Sequence, residues 1–213
     1  MIRHLIWDVD GTLFDTYPAI VGSLHAAAMD QGAPATYQET HDLALVSIDH
    51  CLATLSSTYD LSLDKLGADF ERRYQEVPPA DQPPFDGAPE VCQLIHSRGG
   101  LNLIVTHRRR AGLDRLLTTH GLADLFTDII SDDDGYPRKP DPGAFRTLID
   151  RHRLPRDESL AVGDRDIDIL AAHSAGLAAA HFGTNPTTTT PDVVLPDFDT
   201  LGRLIKTGWT PQD

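Results

Sequence analysis

Two aspartates separated by a single residue stand near the start of the chain, directly after an apolar run. They are Asp8 and Asp10, and Gly11 follows them. In a β-strand, residues two apart point to the same face, so these carboxylates can project together from a strand end, while Gly11 permits a tight exit into a loop. Adjacent carboxylates repel each other, so the pair calls for a cation or a shared proton. Taken alone, the segment fits a strand followed by a simple turn equally well.

Three further segments begin or end with polar groups that suit the same chemistry. Thr106 closes the apolar run 101–105, Lys139 stands just before a predicted helix, and Asp164 follows the apolar residues 161–163. In open parallel sheets, ligands bind beyond the carboxyl ends of the strands. We therefore expect these three side chains and the two aspartates to converge on one crevice.

Each of these three residues also has a plainer interpretation. Lys139 taken alone would most often be a solvated loop lysine. Asp164 could cap the helix that follows it, and Thr106 could be an ordinary strand-end hydroxyl. The combined pattern favours a shared site, because all the plain interpretations would otherwise have to hold at once.

The elements that position these residues alternate regularly between strands and helices. The near-continuous apolarity of residues 2–9 predicts a first strand buried on both faces. Further strands are predicted at 101–105, 128–130, 160–162, 177–182 and 193–195, and helices at 88–98, 110–120, 141–152 and 167–174. The alternation predicts an α/β fold with a Rossmann-like, mainly parallel sheet flanked by helices on both faces.

A helical segment interrupts this pattern after the first strand. Its helix-like patches lie at 20–28, 43–55 and 63–74. The proline-rich stretch 77–84 cannot continue a helix and predicts a stiff linker. We therefore expect an α/β core domain made of residues 1–16 and 84–213, with an inserted α-helical cap domain made of residues 17–83.

The composition disfavours several classes of partner. The 213 residues include 18 basic and 32 acidic ones, which gives a formal charge of −14. Nucleic acids and anionic membranes are held by clusters of Lys and Arg, so we expect no nucleic acid and no membrane among the partners. No leader-like segment occurs, and no apolar run approaches the ~20 residues of a membrane span. We therefore expect a cytoplasmic protein, with Cys51 and Cys92 as reduced core residues.

Four motifs in combination resemble those of the haloacid-dehalogenase-like (HAD) hydrolase superfamily. They occur in the family's order and span almost the whole chain. The motifs are Asp8-Val9-Asp10-Gly11-Thr12, the strand-end Thr106, Lys139-Pro140-Asp141-Pro142, and Gly163-Asp164-Arg165-Asp166-Ile167-Asp168. The helical insertion after the first motif resembles the cap of the branch that includes phosphoglycolate phosphatases and β-phosphoglucomutases.

The resemblance implies a catalytic role for four residues. Asp8 would be the nucleophile that takes the phosphoryl group. Asp10 would protonate the leaving oxygen and later deprotonate the attacking water. Thr106 and Lys139 would hold the oxygens of the substrate phosphoryl group, where negative charge must be stabilised.

The resemblance also implies a Mg²⁺ cofactor. The ion would lie between the Asp8 carboxylate, the main-chain carbonyl of Asp10 and Asp164, since Mg²⁺ favours oxygen ligands. Asp168 stands four residues after Asp164 and lies on the same side if a helix starts between them. We assign Asp168 to holding metal-bound water, with direct ligation as the alternative.

The segment after the second motif departs from the common pattern. His107 and Arg108 stand where many relatives carry small or amide residues, and they could bind an anionic substrate. Arg109 and Arg110 are expected to form a solvated helix start. Arg165 occupies a position often held by a small hydroxyl residue, and its role is open.

The expected function is Mg²⁺-dependent hydrolysis of a small phosphorylated metabolite, phosphoglycolate-like by resemblance, through an aspartyl-phosphate. The presence of Asp10 favours phosphoryl transfer, because dehalogenating relatives attack carbon and do without this second aspartate. Two alternatives stay open: a phosphomutase of the β-phosphoglucomutase type, and a metabolite-binding or regulatory protein that keeps the fold without turnover. We expect a monomer or a homodimer.

Overall fold

The computed structural model of the chain describes residues 1–183 and 187–210. The chain divides into two compact units. One consists of Met1–Asp15 and Pro84–Asp213, and the other is the continuous segment Thr16–Pro83.

The predicted domain division differs from these units at one position. The prediction placed residue 16 in the core domain, whereas Thr16 belongs to the helical unit. The predicted core range extends to residue 213, and its residues 184–186 and 211–213 lie outside the described residues. That the helical unit acts as a cap stays a prediction.

The helical unit contains four α-helices among its described residues. They are α1 (Tyr17–Asp30), α2 (Tyr37–Val46), α3 (Ile48–Tyr59) and α4 (Leu63–Glu76). Their apolar sides share a core that includes Leu24, Leu55, Leu66 and Phe70. Burial of these side chains is the main term that holds the unit together, because isolated helices of this length are marginal in water.

The predicted helix-like patch over residues 43–55 is divided between α2 and α3, because the backbone is extended at Ser47. Its φ is −172°, and α2 ends on one side of it while α3 begins on the other. The Ser47 hydroxyl accepts a hydrogen bond of 3.0 Å from the N–H of His50. Serine at this position satisfies a main-chain donor of the first turn of α3, so the apolar spacing alone could not show the break.

The first unit is built on a parallel sheet. Its strands are β1 (His4–Trp7), β2 (Asn102–Val105), β3 (Phe126–Ile130), β4 (Ser159–Gly163), β5 (Ala178–Phe182) and β6 (Val193–Leu195). Their order is β3-β2-β1-β4-β5-β6, and every neighbouring pair is parallel. The strand order reverses beside β1, which places the carboxyl ends of β1, β2 and β4 next to one another. The predicted Rossmann-like α/β sheet is confirmed.

Helices cover both faces of the sheet. They are α5 (Ala88–Ser97), α6 (Arg110–Thr119), α7 (Gly143–His152), α8 (Asp166–Ser174) and α9 (Phe198–Thr207). Leu5 and Trp7 pack with α5, α6 and α9, whereas Ile6 packs with α7 and α8 on the other face. This alternation follows from the two-residue period of a strand buried on both sides. Predicted strands and helices of this unit differ from the observed ones by at most two residues at an end.

The two chain segments that lead into and out of the helical unit are paired. Phe14 and Pro84 form an antiparallel bridge. The N–H of Phe85 donates a 3.1 Å hydrogen bond to the carbonyl of Leu13. The insertion therefore starts and ends at one place on the first unit.

The two cysteines are free thiols and both are buried, as expected. Burial raises the pKa of both thiols, that of Cys51 to about 12. Over residues 1–183 and 187–210, no helix has both the length and the apolar character to cross a membrane.

Candidate active site

A hydrogen-bonded turn at the end of β1 fixes the position of Asp8. The Asp8 N–H donates to the carbonyl of Val162 in β4 over 2.9 Å, which continues the pairing of the two strands by one residue. The carbonyl of Val9 then accepts hydrogen bonds from the three N–H groups of residues 12–14. Gly11 takes a φ of 81°, the conformation that favours glycine in a tight turn.

The amine of Lys139 connects the ends of three segments inside the protein. Its Nζ lies 2.5 Å from Oδ1 of Asp8 and 2.5 Å from Oδ1 of Asp168. It also donates to the carbonyl of Val105, at the end of β2, over 3.2 Å. The lysine side chain is 2% exposed. A buried ammonium group is stable only when it is paired and hydrogen-bonded, and Lys139 has three such contacts. It is therefore a buried bridge and not a solvated loop lysine.

Three buried carboxylates form the acidic part of the site. Asp8, Asp164 and Asp168 each offer an oxygen within 4.8 Å of the other two. Burial raises the pKa of Asp8 to about 6, although Lys139 opposes this shift. Burial and the charge of Asp8 raise the pKa of Asp164 to about 8. For Asp168, burial would raise the pKa, but Lys139 and Arg165 together outweigh it and hold the pKa below its usual range.

This acidic cluster has the properties of a metal site. The Oδ2 atom of Asp8 is buried and accepts no hydrogen bond from the described part of the chain. Burial raises the pKa of both Asp8 and Asp164 more than their cationic neighbours lower it, so their ionised forms are disfavoured. A hard divalent cation coordinated by carboxylate oxygens would remove both deficits. The residues present therefore fit a bound metal ion.

Neighbouring residues hold the two aspartates of the fourth motif in place. The hydroxyl of Thr12 donates to Oδ1 of Asp164 over 3.1 Å. The main-chain N–H of Arg165 donates to Oδ2 of Asp168 over 3.2 Å, and its Nε lies 4.0 Å from Oδ1 of Asp164. A Cβ atom on Gly163 would lie 2.3 Å from the Cβ of Asp168. Only glycine at 163 lets Asp168 approach this closely.

Thr106 and His107 lie at the carboxyl end of β2. The buried Thr106 hydroxyl accepts a 3.0 Å hydrogen bond from the N–H of Arg108. Nε2 of His107 accepts a 2.8 Å hydrogen bond from the main-chain N–H of Lys139. Burial, followed by the charges of Lys139 and Arg138, lowers the pKa of His107 to about 3, so the imidazole is neutral at neutral pH. In this structure Nε2 of His107 positions the Lys139 segment.

Asp10 and Arg108 form a separate ion pair. Nε of Arg108 lies 3.1 Å from Oδ1 and 3.3 Å from Oδ2 of Asp10, and Nη2 also contacts Oδ1. The Asp10 carboxylate lies outside the group of mutually close carboxylates formed by the other acids. The shared projection of Asp8 and Asp10 that we expected from strand geometry does not apply, because β1 ends at Trp7 and Asp10 lies in the turn.

The structure thus brings together Asp8, Lys139, Asp164 and Asp168, with Thr106 and His107 beside Lys139. The sequence did not indicate the supporting roles of Thr12 and Gly163. Thr12 lies two residues after Asp10, and Gly163 directly precedes Asp164. Their positions within the motifs were the available signal.

The fold and the site define a Rossmann-like α/β protein with an acidic, lysine-bridged site at the carboxyl edge of its sheet. The model of the haloacid dehalogenase-like hydrolase family matches residues 5–182. The chain therefore belongs to this family, and the resemblance inferred from its motifs is confirmed.

Individual relatives agree with this assignment. A phosphoglycolate phosphatase of Photobacterium profundum is 30% identical in an alignment 220 positions long that covers 96% of each chain. A phosphoglycolate phosphatase of Vibrio cholerae is 28% identical in an alignment 219 positions long that covers 96% of this chain and 97% of the relative.

Solved structures show the same fold. A protein described as a predicted phosphoglycolate phosphatase from Haemophilus somnus 129PT superposes with a TM-score of 0.81 at 22% identity, over 96% of this chain and 98% of that one. A HAD-superfamily hydrolase of subfamily IA from Geobacter sulfurreducens gives a TM-score of 0.73 at 18% identity, over 96% of each chain.

Proposed function

We propose that the protein is a Mg²⁺-dependent phosphatase that hydrolyses a small phosphorylated metabolite through an aspartyl-phosphate. One observation carries the proposal: the buried Asp8 carboxylate is held at Oδ1 by Lys139, while its Oδ2 has no hydrogen-bond partner among the described residues. This is the arrangement of a buried nucleophile oriented through one of its oxygens. The names of the phosphoglycolate phosphatase relatives support phosphoglycolate as the first substrate to test.

The acidic cluster would hold the metal ion. The proposed ligands are the carboxylates of Asp8 and Asp164 and the main-chain carbonyl of Asp10. Asp168, which shares the Lys139 amine with Asp8, would hold a metal-bound water or bind the ion directly. When bound, Mg²⁺ supplies positive charge that offsets the charge of the carboxylates and of the phosphate.

The chain's own residues account for both halves of the reaction. In the first half, an Asp8 oxygen bonds to phosphorus, the ester P–O bond breaks, and the Asp10 carboxyl gives its proton to the leaving oxygen. In the second half, water bonds to phosphorus and passes a proton to Asp10. The bond between phosphorus and Asp8 then breaks, which releases phosphate and restores both side chains.

Thr106 and Lys139 would bind the transferring phosphoryl group. The Thr106 oxygen accepts a hydrogen bond from a main-chain N–H, so its own hydroxyl hydrogen is left to donate to a phosphoryl oxygen. The Lys139 amine already lies on Asp8 and would place positive charge beside the same group. His107 and Arg108 as direct substrate contacts, a cytoplasmic location, and a monomeric or homodimeric state stay predictions.

A phosphate-release screen with a panel of phosphomonoesters tests the proposal. Wild type should release phosphate only with Mg²⁺ present, and Asp8→Asn should lose at least about 10³-fold in kcat because the nucleophile is absent. The matched control is Asp128→Asn, an aspartate of β3 outside the site, which should keep wild-type turnover. Undiminished turnover by Asp8→Asn would exclude the mechanism.

The same screen separates the alternatives. A phosphomutase would return an isomerised hexose phosphate instead of free phosphate. A metabolite-binding protein would bind members of the panel and release nothing in the presence of Mg²⁺.

A further inference from the structure

The Asp10–Arg108 ion pair points to a role for Arg108 that rests on the proposed function. We propose that Arg108 is a positioning residue that holds the Asp10 carboxylate in the orientation needed for proton transfer to the leaving oxygen. It would act through Asp10 and not by binding the phosphoryl group.

Arg108 is itself anchored on three sides. Its N–H donates to the Thr106 hydroxyl over 3.0 Å, and its carbonyl accepts from the N–H of Asp132 over 3.2 Å. Its side chain runs along the backbone of Gly112, where an added Cβ would lie 3.7 to 3.9 Å from its atoms. The side chain is only 9% exposed, so the guanidinium offers Asp10 a fixed partner.

The Asp10 carboxylate is partly open to solvent, so its orientation matters for proton transfer. Its side chain is 24% exposed and lies in a turn beyond the end of β1. Proton transfer requires a heavy-atom approach of about 2.6–3.2 Å between the carboxyl group and the reacting oxygen. A carboxylate free to rotate towards water would meet that requirement in only a fraction of encounters.

The contact has a geometry that only arginine provides. Nε and Nη2 of Arg108 engage the Asp10 carboxylate together, which fixes its plane as well as its position. A lysine ammonium is a point charge and fixes no plane. Arg108→Lys therefore keeps the positive charge, and with it the charge effect on Asp10, while it removes the orientation.

The dependence of rate on the leaving group distinguishes positioning from other roles. Alkyl phosphates require protonation of the leaving oxygen, whereas 2,4-dinitrophenyl phosphate releases a stable phenolate and does not. The value of kcat/KM reports the steps up to phosphoenzyme formation, where this protonation occurs. We therefore compare phosphoglycolate and glycerol phosphate with the dinitrophenyl ester, in wild type, Arg108→Lys, Arg108→Gln and Asp10→Asn.

In Arg108→Lys, kcat/KM for both alkyl esters should fall by about 10-fold to 100-fold, and for the dinitrophenyl ester by less than about 3-fold. Arg108→Gln and Asp10→Asn should show the same selectivity. The matched controls are Arg110→Lys and Arg110→Gln, because Arg110 forms an exposed ion pair with Asp114 at 2.8 Å. They should leave all three esters unchanged, and circular dichroism should show every variant folded.

Each other outcome has a definite meaning. Equal losses for all three esters, or no loss, would overturn the role of Arg108, and a loss confined to phosphoglycolate would assign Arg108 to the substrate carboxylate instead. Equal losses in Asp10→Asn would overturn Asp10 as the acid and the Arg108 inference with it. No turnover of any ester by wild type would overturn the proposed phosphatase function itself.

Discussion

Replacing Gly163 with alanine would force Asp168 away from Lys139. The new Cβ would lie 2.3 Å from the Cβ and 2.6 Å from the Cγ of Asp168. Non-bonded carbon atoms keep a separation of about 3.5–4.0 Å, so Asp168 would have to move by at least about 1 Å. Gly163 cannot readily yield instead, because it is paired with His181 of the neighbouring strand β5.

The size of the effect follows from the contact that is lost. A shift of about 1 Å would lengthen the 2.5 Å contact between Lys139 Nζ and Asp168 Oδ1 beyond hydrogen-bond range. Overpacking costs about 1–3 kcal/mol, and weakening a buried ion pair adds to this, so we expect a loss of about 2–4 kcal/mol in the free energy of unfolding. Because Lys139 would lose one of its two anchors, kcat should fall by about 10²-fold.

Urea unfolding in metal-free buffer and the phosphate-release assay measure these two effects. The control is Gly202→Ala in α9, where the added Cβ would meet only Val91 at an ordinary 3.8 Å. The free energy of unfolding of that variant should rise by up to about 1 kcal/mol, since alanine is more favourable than glycine in a helix interior. The variant should keep full activity. If Gly163→Ala matched this control in both assays, the close approach of Asp168 to Gly163 would not be required for the site.

Two further substitutions test the electrostatics of the first unit. Lys139→Met leaves the buried carboxylates of Asp8 and Asp168 without their cation. Urea unfolding in metal-free buffer should show that the free energy of unfolding falls by about 3–5 kcal/mol at pH 7.5. The loss should shrink towards pH 5, because the buried carboxyl groups of the variant become protonated there. A loss independent of pH would contradict this explanation. For Asp128, burial raises the pKa, but hydrogen bonds from His152 and Arg151 outweigh it and hold the pKa below its usual value. Its ionised form stabilises the fold above the unfolded pKa, and this is lost as the pH falls through the folded pKa. Asp128→Asn should therefore lower the free energy of unfolding by about 1 kcal/mol at pH 7 and leave it unchanged at pH 2, as measured by urea unfolding at both pH values.

Local patterns were sufficient to predict the sheet. Apolar runs such as Leu101–Val105 ended close to where the observed strands end, and the rule that ligands bind at carboxyl ends then placed Asp8, Thr106 and Asp164 at one edge. The break between α2 and α3 at Ser47 was not predicted, because the apolar spacing continues across it. The deciding signal was a serine positioned to cap a helix, which is local but independent of hydrophobic period.

Contacts between distant segments could not be predicted. Asn102 interrupts an apolar strand, and its amide accepts from the indole of Trp7, 95 residues earlier, over 3.1 Å and donates to the carbonyl of Cys92 over 2.8 Å. The partners of Arg108 and Lys139 are likewise set by where long side chains end in three dimensions. Sequence spacing could assign Lys139 to the site, but it could not show that its amine is shared between Asp8 and Asp168.

The paired segments at the two ends of the insertion make the helical unit a replaceable module. Because the Phe14–Pro84 bridge and the Phe85–Leu13 hydrogen bond lie within the first unit, both ends of the insertion are already pinned side by side. The entropy of closing the chain over Thr16–Pro83 grows only slowly with its length. Evolution can therefore lengthen, shorten or exchange this segment with little cost to the sheet.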